Sequence, residues 1–381
     1  MRADAQPRSP AAITDMRVLD TTRMEARSAL LGRAESELVR GDIAAATDAF
    51  DRAALMLHAP DTEMGLVRTY MQVGQYRRAL AFCAHTAGAH LESAPAGALY
   101  AWLLRAGGQP AFAERVLNET LARLPQDPVL IEARSALAKP LPVAAGPLLQ
   151  TPHRMAPQGV MARGQEEIPE AARIVSSGVL INDGTLALVP SSAARSAASG
   201  TLWVRNGLGQ TTRARIDGDA SAQALEALGV TVLRLEAALD ATGTQAVAAR
   251  DPFAGSPGFA LEYAAPGAAV AAWPWLRQGF LGSFQGNAGL RRLGIEVADG
   301  PHGGPVLDAN GRLAGMALQG SDREAVMLPA SRWQSLLEIA PATPSPSAVD
   351  PAASARPSRA IPVDEAYESG LRLALQLIAL P

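Results

Sequence analysis

The fold of the second half of the chain is decided by one stretch: Gly300-Pro301-His302-Gly303-Gly304-Pro305-Val306-Leu307-Asp308-Ala309-Asn310-Gly311-Arg312-Leu313-Ala314-Gly315-Met316. Its first part is a loop in which Gly303 and Gly304 permit backbone conformations that other residues avoid. Its second part places two short apolar runs on either side of Asn310-Gly311, a pattern typical of a β-hairpin. The stretch therefore predicts a β-rich domain in which a permissive glycine loop leads directly into a strand.

Two upstream stretches precede this loop in an order that resembles that of a known family. They are Ser177-Gly178-Val179-Leu180-Ile181 with the following run at 186–194, and Gly229-Val230-Thr231-Val232-Leu233-Arg234-Leu235. With the loop at 300–305, they resemble the segments that carry the catalytic residues of trypsin-like serine proteases. The resemblance implies an all-β, two-barrel domain over residues 171–340. It places Ser192 in the position of the general base, Gly229 in that of the acid and His302 in that of the nucleophile.

None of these three residues suits its position. A serine protease needs a hydroxyl beside an imidazole, a carboxylate that orients the imidazole, and two N–H donors for the oxyanion. We therefore expect a degenerate triad that retains only a binding loop, with the N–H groups of Gly300 and His302 as donors and Gly303 keeping the loop permissive. Two alternatives stay open: a reversed Ser192–His302 pair, and a functional serine elsewhere, for instance at 176 or 177.

The first third of the chain carries a different, helical repeat. Glycines recur at 41, 74 and 108, alanines follow at 46, 79 and 113, and larger residues follow at 50, 83 and 117. This spacing resembles the tetratricopeptide repeat (TPR), a helix-turn-helix unit of about 34 residues. It implies an α-solenoid of about three TPR-like hairpins over residues 21–138, with a capping helix after Asp127-Pro128. The alternative is an unrelated array of helical hairpins.

The remaining segments are connecting or terminal. We predict a disordered N-terminus at 1–20, a linker with an early strand at 139–170, and a disordered Pro/Ser/Ala-rich linker at 341–362. Residues 363–381 are predicted to form a C-terminal amphipathic helix, which docks either on the protein itself or on a partner or membrane surface. The aromatic run Trp273-Pro274-Trp275 is either a recognition patch or part of a barrel core.

Composition narrows the class of protein. The 381 residues include 34 Lys+Arg and 37 Asp+Glu, giving a formal charge of −3, and the basic residues are dispersed, which disfavours a nucleic-acid partner. The single cysteine excludes an internal disulfide. No apolar run is long enough for a transmembrane segment, and the N-terminus lacks a secretory signal. The chain as written is thus predicted to be cytoplasmic, or periplasmic if its start is processed or wrongly assigned. The Ala- and Arg-rich composition is typical of a bacterial protein.

These observations predict a multi-domain α + β protein: a TPR-like array, then a trypsin-like pseudoprotease domain, then a C-terminal helix. We expect a non-catalytic scaffold that binds a protein or peptide partner through the concave face of the TPR array, with the C-terminal helix as a second candidate contact. No cofactor and no metal ligand set is predicted. The alternative function is an active serine-type hydrolase with a non-standard Ser192/His302 site.

Overall fold

The structure is a computed structural model in which helices precede strands along the chain. Within the described residues given below, side chains are described from residue 21 onwards, except at residue 220. The segments predicted to be disordered lie partly outside the described residues, at 1–9 and 341–359. The described residues are 10–197, 200–242, 247–248, 250–265, 267–285, 289–297, 302–320, 322–337 and 360–381.

The N-terminal part of the described chain consists of helices that pack consecutively against one another. The first helix begins at Pro10, so residues 10–20 are helical, whereas the sequence predicts disorder there. A proline in the first turn, followed by residues without Gly or Pro as far as Gly32, favours this early start. The helices are α1 (Pro10–Arg40), α2 (Ile43–Met56), α3 (Pro60–Gln72), α4 (Tyr76–Ala89), α5 (Ala94–Ala106), α6 (Pro110–Arg123) and α7 (Pro128–Leu137).

The repeated glycines lie in the short turns that join helices pairwise. Gly41, Gly74 and Gly108 have φ values of +80°, +73° and +81°, a left-handed conformation that favours glycine. The side chains at the three recurring alanine positions and the three recurring larger positions are all buried: Ala46, Ala79, Ala113, Phe50, Cys83 and Leu117. The helices are thus paired across the glycine turns, and the residues at these recurring positions are buried. Asp127 also caps α7, accepting hydrogen bonds from the N–H groups of Val129 and Leu130.

Strands and short helices make up the rest. The short helices are α8 (Ser191–Ser196), α9 (Ala220–Glu226) and α10 (Ala330–Gln334), followed by the longer α11 (Val363–Leu373). The strands are β1 (Val160–Met161), β2 (Arg173–Ile181), β3 (Leu186–Pro190), β4 (Leu202–Asn206), β5 (Gln210–Ile216), β6 (Val230–Leu235), β7 (Ser256–Glu262), β8 (Gly267–Ala268), β9 (Trp275–Gln285), β10 (Leu290–Gly294), β11 (Pro305–Asp308), β12 (Leu313–Gln319), β13 (Ala325–Pro329) and β14 (Ala374–Ala379).

These strands form two six-stranded antiparallel barrels, an architecture compatible with the trypsin-like fold. The first barrel has the order β5-β4-β14-β2-β3-β6 and closes through pairing of β5 with β6. The second has the order β10-β13-β12-β11-β7-β9 and also closes on itself. The predicted early strand is present as β1, which pairs in parallel with β5 at the edge of the first barrel.

The C-terminal segment differs from its prediction. The amphipathic helix is present as α11, but it ends at Leu373, and the next six residues form β14 between β2 and β4. Leu375, Leu377 and Ala379 point into the core of the first barrel, whereas Ala374 and Ile378 pack in other buried clusters. Both faces of the strand are therefore buried, and every residue of the strand except Gln376 is apolar. A short run of this kind fits a helix or a fully buried strand equally well, so periodicity alone could not separate them.

The helices dock on the barrels through their glycine turns. A Cβ atom at Gly41, Gly74 or Gly108 would lie within 2.8 Å of side-chain atoms of Val160 on β1, Arg372 on α11 and Leu276 on β9, respectively. Aromatic pairs reinforce this contact. The rings of Tyr76 and Tyr367 are 4.5 Å apart between centroids, and those of Trp102 and Trp275 are 5.2 Å apart. One continuous buried cluster consequently includes side chains of both regions.

Candidate functional site

The chain segments that carry the three triad positions lie near one another where the two barrels join. Ser192 lies on α8 directly after β3, Gly229 immediately precedes β6, and pairing of Pro190 with Val230 places both at one end of neighbouring strands. His302 lies in the loop before β11 of the second barrel. The next residue, Gly303, approaches the first barrel so closely that a Cβ would lie 2.1 Å from the Ser177 carbonyl oxygen. The glycine loop of the second barrel thus lies beside the end of β3, which leads into α8 and pairs with the start of β6.

The first-barrel side of this junction holds neutral groups. The Thr231 hydroxyl donates to Ser191 Oγ at 3.0 Å, and both residues are buried. Ser192 itself is exposed. Gly229 offers its carbonyl oxygen to the Ser191 N–H at 2.9 Å and has a φ of +83°. Neither triad position on this barrel therefore supplies an imidazole or a carboxylate.

The glycine loop is anchored by a carboxyl group from its own domain. Glu262, at the end of β7, is fully buried, and its Oε1 accepts hydrogen bonds from the N–H of Gly304 at 3.0 Å and of Gly303 at 3.4 Å. Its carboxyl also bonds to the Ser177 hydroxyl. Burial raises the pKa of Glu262 to about 7, and the three hydrogen bonds oppose that rise. The N–H groups of Gly303 and Gly304, which follow His302, are thus already hydrogen-bonded to Glu262.

Close packing explains why this loop contains adjacent glycines. A Cβ at Gly304 would lie 1.7 Å from the Leu261 carbonyl oxygen, and Gly303 has a φ of +150°. His302 is also buried, with 6% of its surface exposed. The glycine motif is therefore required for packing the loop between β7 and the first barrel. Gly300 and Pro301, and with them one predicted oxyanion donor, lie outside the described residues.

The alternative serines are enclosed. Ser177 is buried, and its Oγ accepts a hydrogen bond from the Tyr263 N–H at 2.9 Å in addition to its bond with Glu262. Ser176 is buried as well, and its hydroxyl makes no hydrogen bond among the described residues. Because a nucleophile must reach its substrate, neither position favours an acyl-transfer site.

Glu262 was missed at the sequence level. It ends the run Gly258-Phe259-Ala260-Leu261-Glu262, in which an acidic residue after three apolar ones is typical of an exposed strand end. Only the closure of the second barrel and its contact with Ser177 bury this side chain. The aromatic run at 273–275 is buried too: both tryptophans are 2% exposed, and the Trp275 ring lies against α5, so it forms no exposed patch.

The chain itself covers much of the helical region. Helices α3 and α5 are buried on nearly all sides. The segment after α7 contributes Ala144, Leu148 and Met155 to the same buried cluster. The Gln72 side chain also bonds to the backbone of Gln158 in both directions, with distances of 2.9 and 3.0 Å. The helix surface left to solvent belongs mainly to α1, α2, α4 and α6.

The C-terminal helix is likewise docked internally. Its Tyr367 is fully buried and donates a hydrogen bond to the Pro274 carbonyl oxygen at 2.8 Å. Arg372 donates to the Val73 carbonyl oxygen at 2.6 Å, and Arg77 of α4 pairs with Glu368 at 3.2 Å. Of the two docking modes considered from the sequence, the structure therefore contains the internal one.

Comparison with protein-family models and with curated proteins identifies no relative of this chain. No protein-family model matches the chain, and no curated protein matches it either. The two resemblances therefore depend on the residues and on the architecture described above. Among the described helices, none is long and apolar enough to cross a membrane.

Proposed function

We infer that this chain is a non-catalytic interaction protein in which a TPR-like helical array is joined to an inactive trypsin-like domain. The observation that carries this inference is the chemistry at the barrel junction. A paired Ser191 and Thr231, a glycine at 229 and an exposed Ser192 stand where a protease needs its base and acid. The glycine loop of the other barrel is occupied by Glu262. The trypsin-like domain then serves as a platform that the helices and the C-terminal strand hold together.

We propose that the partner contact lies on the helical array, as the repeat resemblance suggests, but on its exposed helices and not on the concave face predicted from the sequence. Because α3 and α5 are already covered, the contact falls on the outer helices and their connections. Large apolar side chains are exposed there, including Leu55 on α2 and Phe112 on α6, which are 86% and 52% exposed. Exposed apolar side chains mark an interface where they form one patch, so these two positions are the first that we propose to test.

A fluorophosphonate probe tests the absence of a nucleophile. The purified chain should stay unlabelled under conditions in which an active trypsin-like protease reacts fully, because the Ser177 hydroxyl, which bonds to the Glu262 carboxyl, is buried and out of the probe's reach. Labelling that disappears in Ser192→Ala or in Ser177→Ala would instead establish the serine-hydrolase alternative and locate its nucleophile.

Affinity capture from the native host tests the interaction function. The full-length chain should retain a specific partner that Leu55→Asp and Phe112→Asp release. The matched control is Phe280→Asp, which changes an equally apolar side chain, 60% exposed, on the second barrel. Loss of the partner only in the control would move the contact to the barrels. Failure of the wild-type chain to retain any specific partner would contradict the proposed function.

A further inference from the structure

Three of the five histidines of the chain lie together on the helical array. His58 is in the connection between α2 and α3, His85 is on α4, and His90 directly follows α4. All three surround Glu63, which lies in the first turn of α3. The packing of α3 against α4 thus brings together residues from separate parts of the sequence.

The contacts centre on the Glu63 carboxylate. His58 Nε2 is 2.6 Å from Glu63 Oε1, His90 Nε2 is 3.4 Å from Glu63 Oε2, and His85 Nε2 is 3.9 Å from Glu63 Oε1. One nitrogen of His58, one of His90 and one carboxylate oxygen of Glu63 all lie within 4.8 Å of one another. In a tetrahedral site with bonds of about 2.0–2.1 Å, neighbouring ligand atoms are about 3.3 Å apart. Small rotations of these side chains are therefore enough to enclose one ion.

Two of the candidate ligand atoms, one on Glu63 and one on His90, are buried without a hydrogen bond. Glu63 is 5% exposed and His90 is 9% exposed. Glu63 Oε2 and His90 Nε2 are both inaccessible and make no hydrogen bond among the described residues. A buried carboxylate is costly unless a positive group or several donors compensate it. The ion pairs recorded for Glu63 in the described chain all involve imidazoles, with no Lys or Arg.

The surroundings also resemble those of a metal ligand. His90 Nδ1 lies 3.7 Å from Glu92 Oε1, so a carboxylate stands beside the nitrogen that would not bind the ion. Carboxylates that hydrogen-bond to this nitrogen orient metal-bound imidazoles, and at 3.7 Å the exposed Glu92 side chain has to move closer to do so. Cys83 on α4 is buried within the helix core and belongs to a different cluster. The ligand set consists of imidazole nitrogen and carboxylate oxygen, which suits Zn²⁺ better than Mg²⁺ or Ca²⁺.

We propose that His58, Glu63 and His90 bind one divalent transition-metal ion, with Zn²⁺ the best match, and that His85 stands beside the fourth coordination position. The ion ties the α2–α3 connection, the start of α3 and the end of α4 to one another. Because α3 and α4 form one helix pair, metal binding stabilises that pair and fixes the connection from α2 against it. Spacing along the sequence did not reveal the site, since the histidines are not arranged as a local ligand motif.

Titration of the full-length, tag-free protein with Zn²⁺ tests this proposal. The protein is first stripped with a chelator and freed of it, and binding is followed by calorimetry and by the visible absorption of Co²⁺ as a tetrahedral probe. We expect one ion per chain. His58→Ala, His90→Ala and Glu63→Gln should each weaken Zn²⁺ binding at least about tenfold, and His85→Ala should weaken it less.

The matched control is His153→Ala, which removes a histidine outside the cluster and should leave the affinity unchanged. His58 is in a connection and its side chain is 63% exposed, so its replacement should leave the far-ultraviolet circular dichroism of the protein intact. Zn²⁺ should raise the Tm of the wild type and leave that of His58→Ala unchanged. The proposal is overturned if the double variant His58→Ala/His90→Ala binds Zn²⁺ as tightly as the wild type, or if His153→Ala loses as much affinity as His58→Ala.

Discussion

The two barrels use the chain in different ways. The second is built from strands that follow one another between Ser256 and Pro329. The first takes five strands between Arg173 and Leu235 and its sixth, β14, from the end of the chain. Because β14 pairs with both β2 and β4, the first barrel cannot close without it. Two barrels of similar architecture therefore differ in one respect: folding of the first barrel requires a strand more than 130 residues after its other strands, and folding of the second does not.

Removal of the last strand should therefore have the largest effect. Deletion of residues 374–381 removes ladder hydrogen bonds on two sides and exposes the core of the first barrel, so we expect loss of cooperative folding in that barrel. Native-state hydrogen exchange should show protection lost in β2 and β4 and retained more strongly in β11 and β12. Equal protection of all four strands would break the comparison.

A point substitution gives a graded form of the same test. Leu377→Ala, at a fully buried position of β14, should lower the free energy of unfolding by about 2–5 kcal/mol. Leu55→Ala, at an exposed position, is the control and should change it by less than about 0.5 kcal/mol.

The glycines of the two barrels at the junction should respond unequally. Gly303→Ala places a Cβ 2.1 Å from the Ser177 carbonyl oxygen and should lower the free energy of unfolding by more than about 2 kcal/mol. Gly229→Ala meets no atom within 4 Å, so only its φ of +83° opposes the change, at about 1 kcal/mol. Urea denaturation compares the two variants. A larger loss for Gly229→Ala would show that the loop is not packed between the barrels.

Glu262 should give the second barrel a distinct pH dependence. Its pKa rises from the ordinary 4.5 to about 7 on folding, so the folded state holds the proton more tightly than the unfolded state. The resulting stabilisation is complete below about pH 4.5 and is lost as the pH rises through 7. Between pH 5 and pH 8 the wild type should lose about 2–3 kcal/mol more of its free energy of unfolding than Glu262→Gln.

The control for this measurement is Glu296→Gln, a change at an exposed carboxylate of the second barrel. It should follow the wild type across the whole range. If Glu262→Gln shows the same pH dependence as the wild type and the control, the carboxyl of Glu262 is not buried in the manner described.

Restoring the triad side chains should have the smallest effect. The triple variant Ser192→His, Gly229→Asp, His302→Ser should show little or no peptide hydrolysis. Residue 229 has a left-handed backbone, and the neighbouring amides of the glycine loop remain bonded to Glu262. A misplacement of about 1 Å can reduce the rate by about 10². Rapid hydrolysis of a mixed peptide library by this variant would show that the junction is still organised for catalysis.

The sequence predicted those elements that are specified by residues close together in the chain. Helix pairs were predictable because Gly41, Gly74 and Gly108 specify turns at fixed spacing. The barrel architecture was predictable from several ordered segments, each leading into or out of a turn. The run at 374–379 was misassigned because complete burial removes the alternation that identifies a strand.

The candidate sites were harder to predict for a different reason. Glu262 meets the Gly303 and Gly304 amides only after the second barrel closes. Glu63 meets its imidazoles only after α3 packs on α4. Neither contact has a fixed spacing in the sequence, so each could be found only from the three-dimensional arrangement.

The most direct test of the central claim is peptide hydrolysis by the unaltered chain. Purified full-length protein is incubated with casein and with a mixed peptide library across neutral and mildly alkaline pH, and new termini are measured by mass spectrometry. The account predicts no hydrolysis above that of a buffer control, with Ser192→Ala and His302→Ala indistinguishable from the wild type. Reproducible cleavage by the wild type that either substitution abolishes would contradict it.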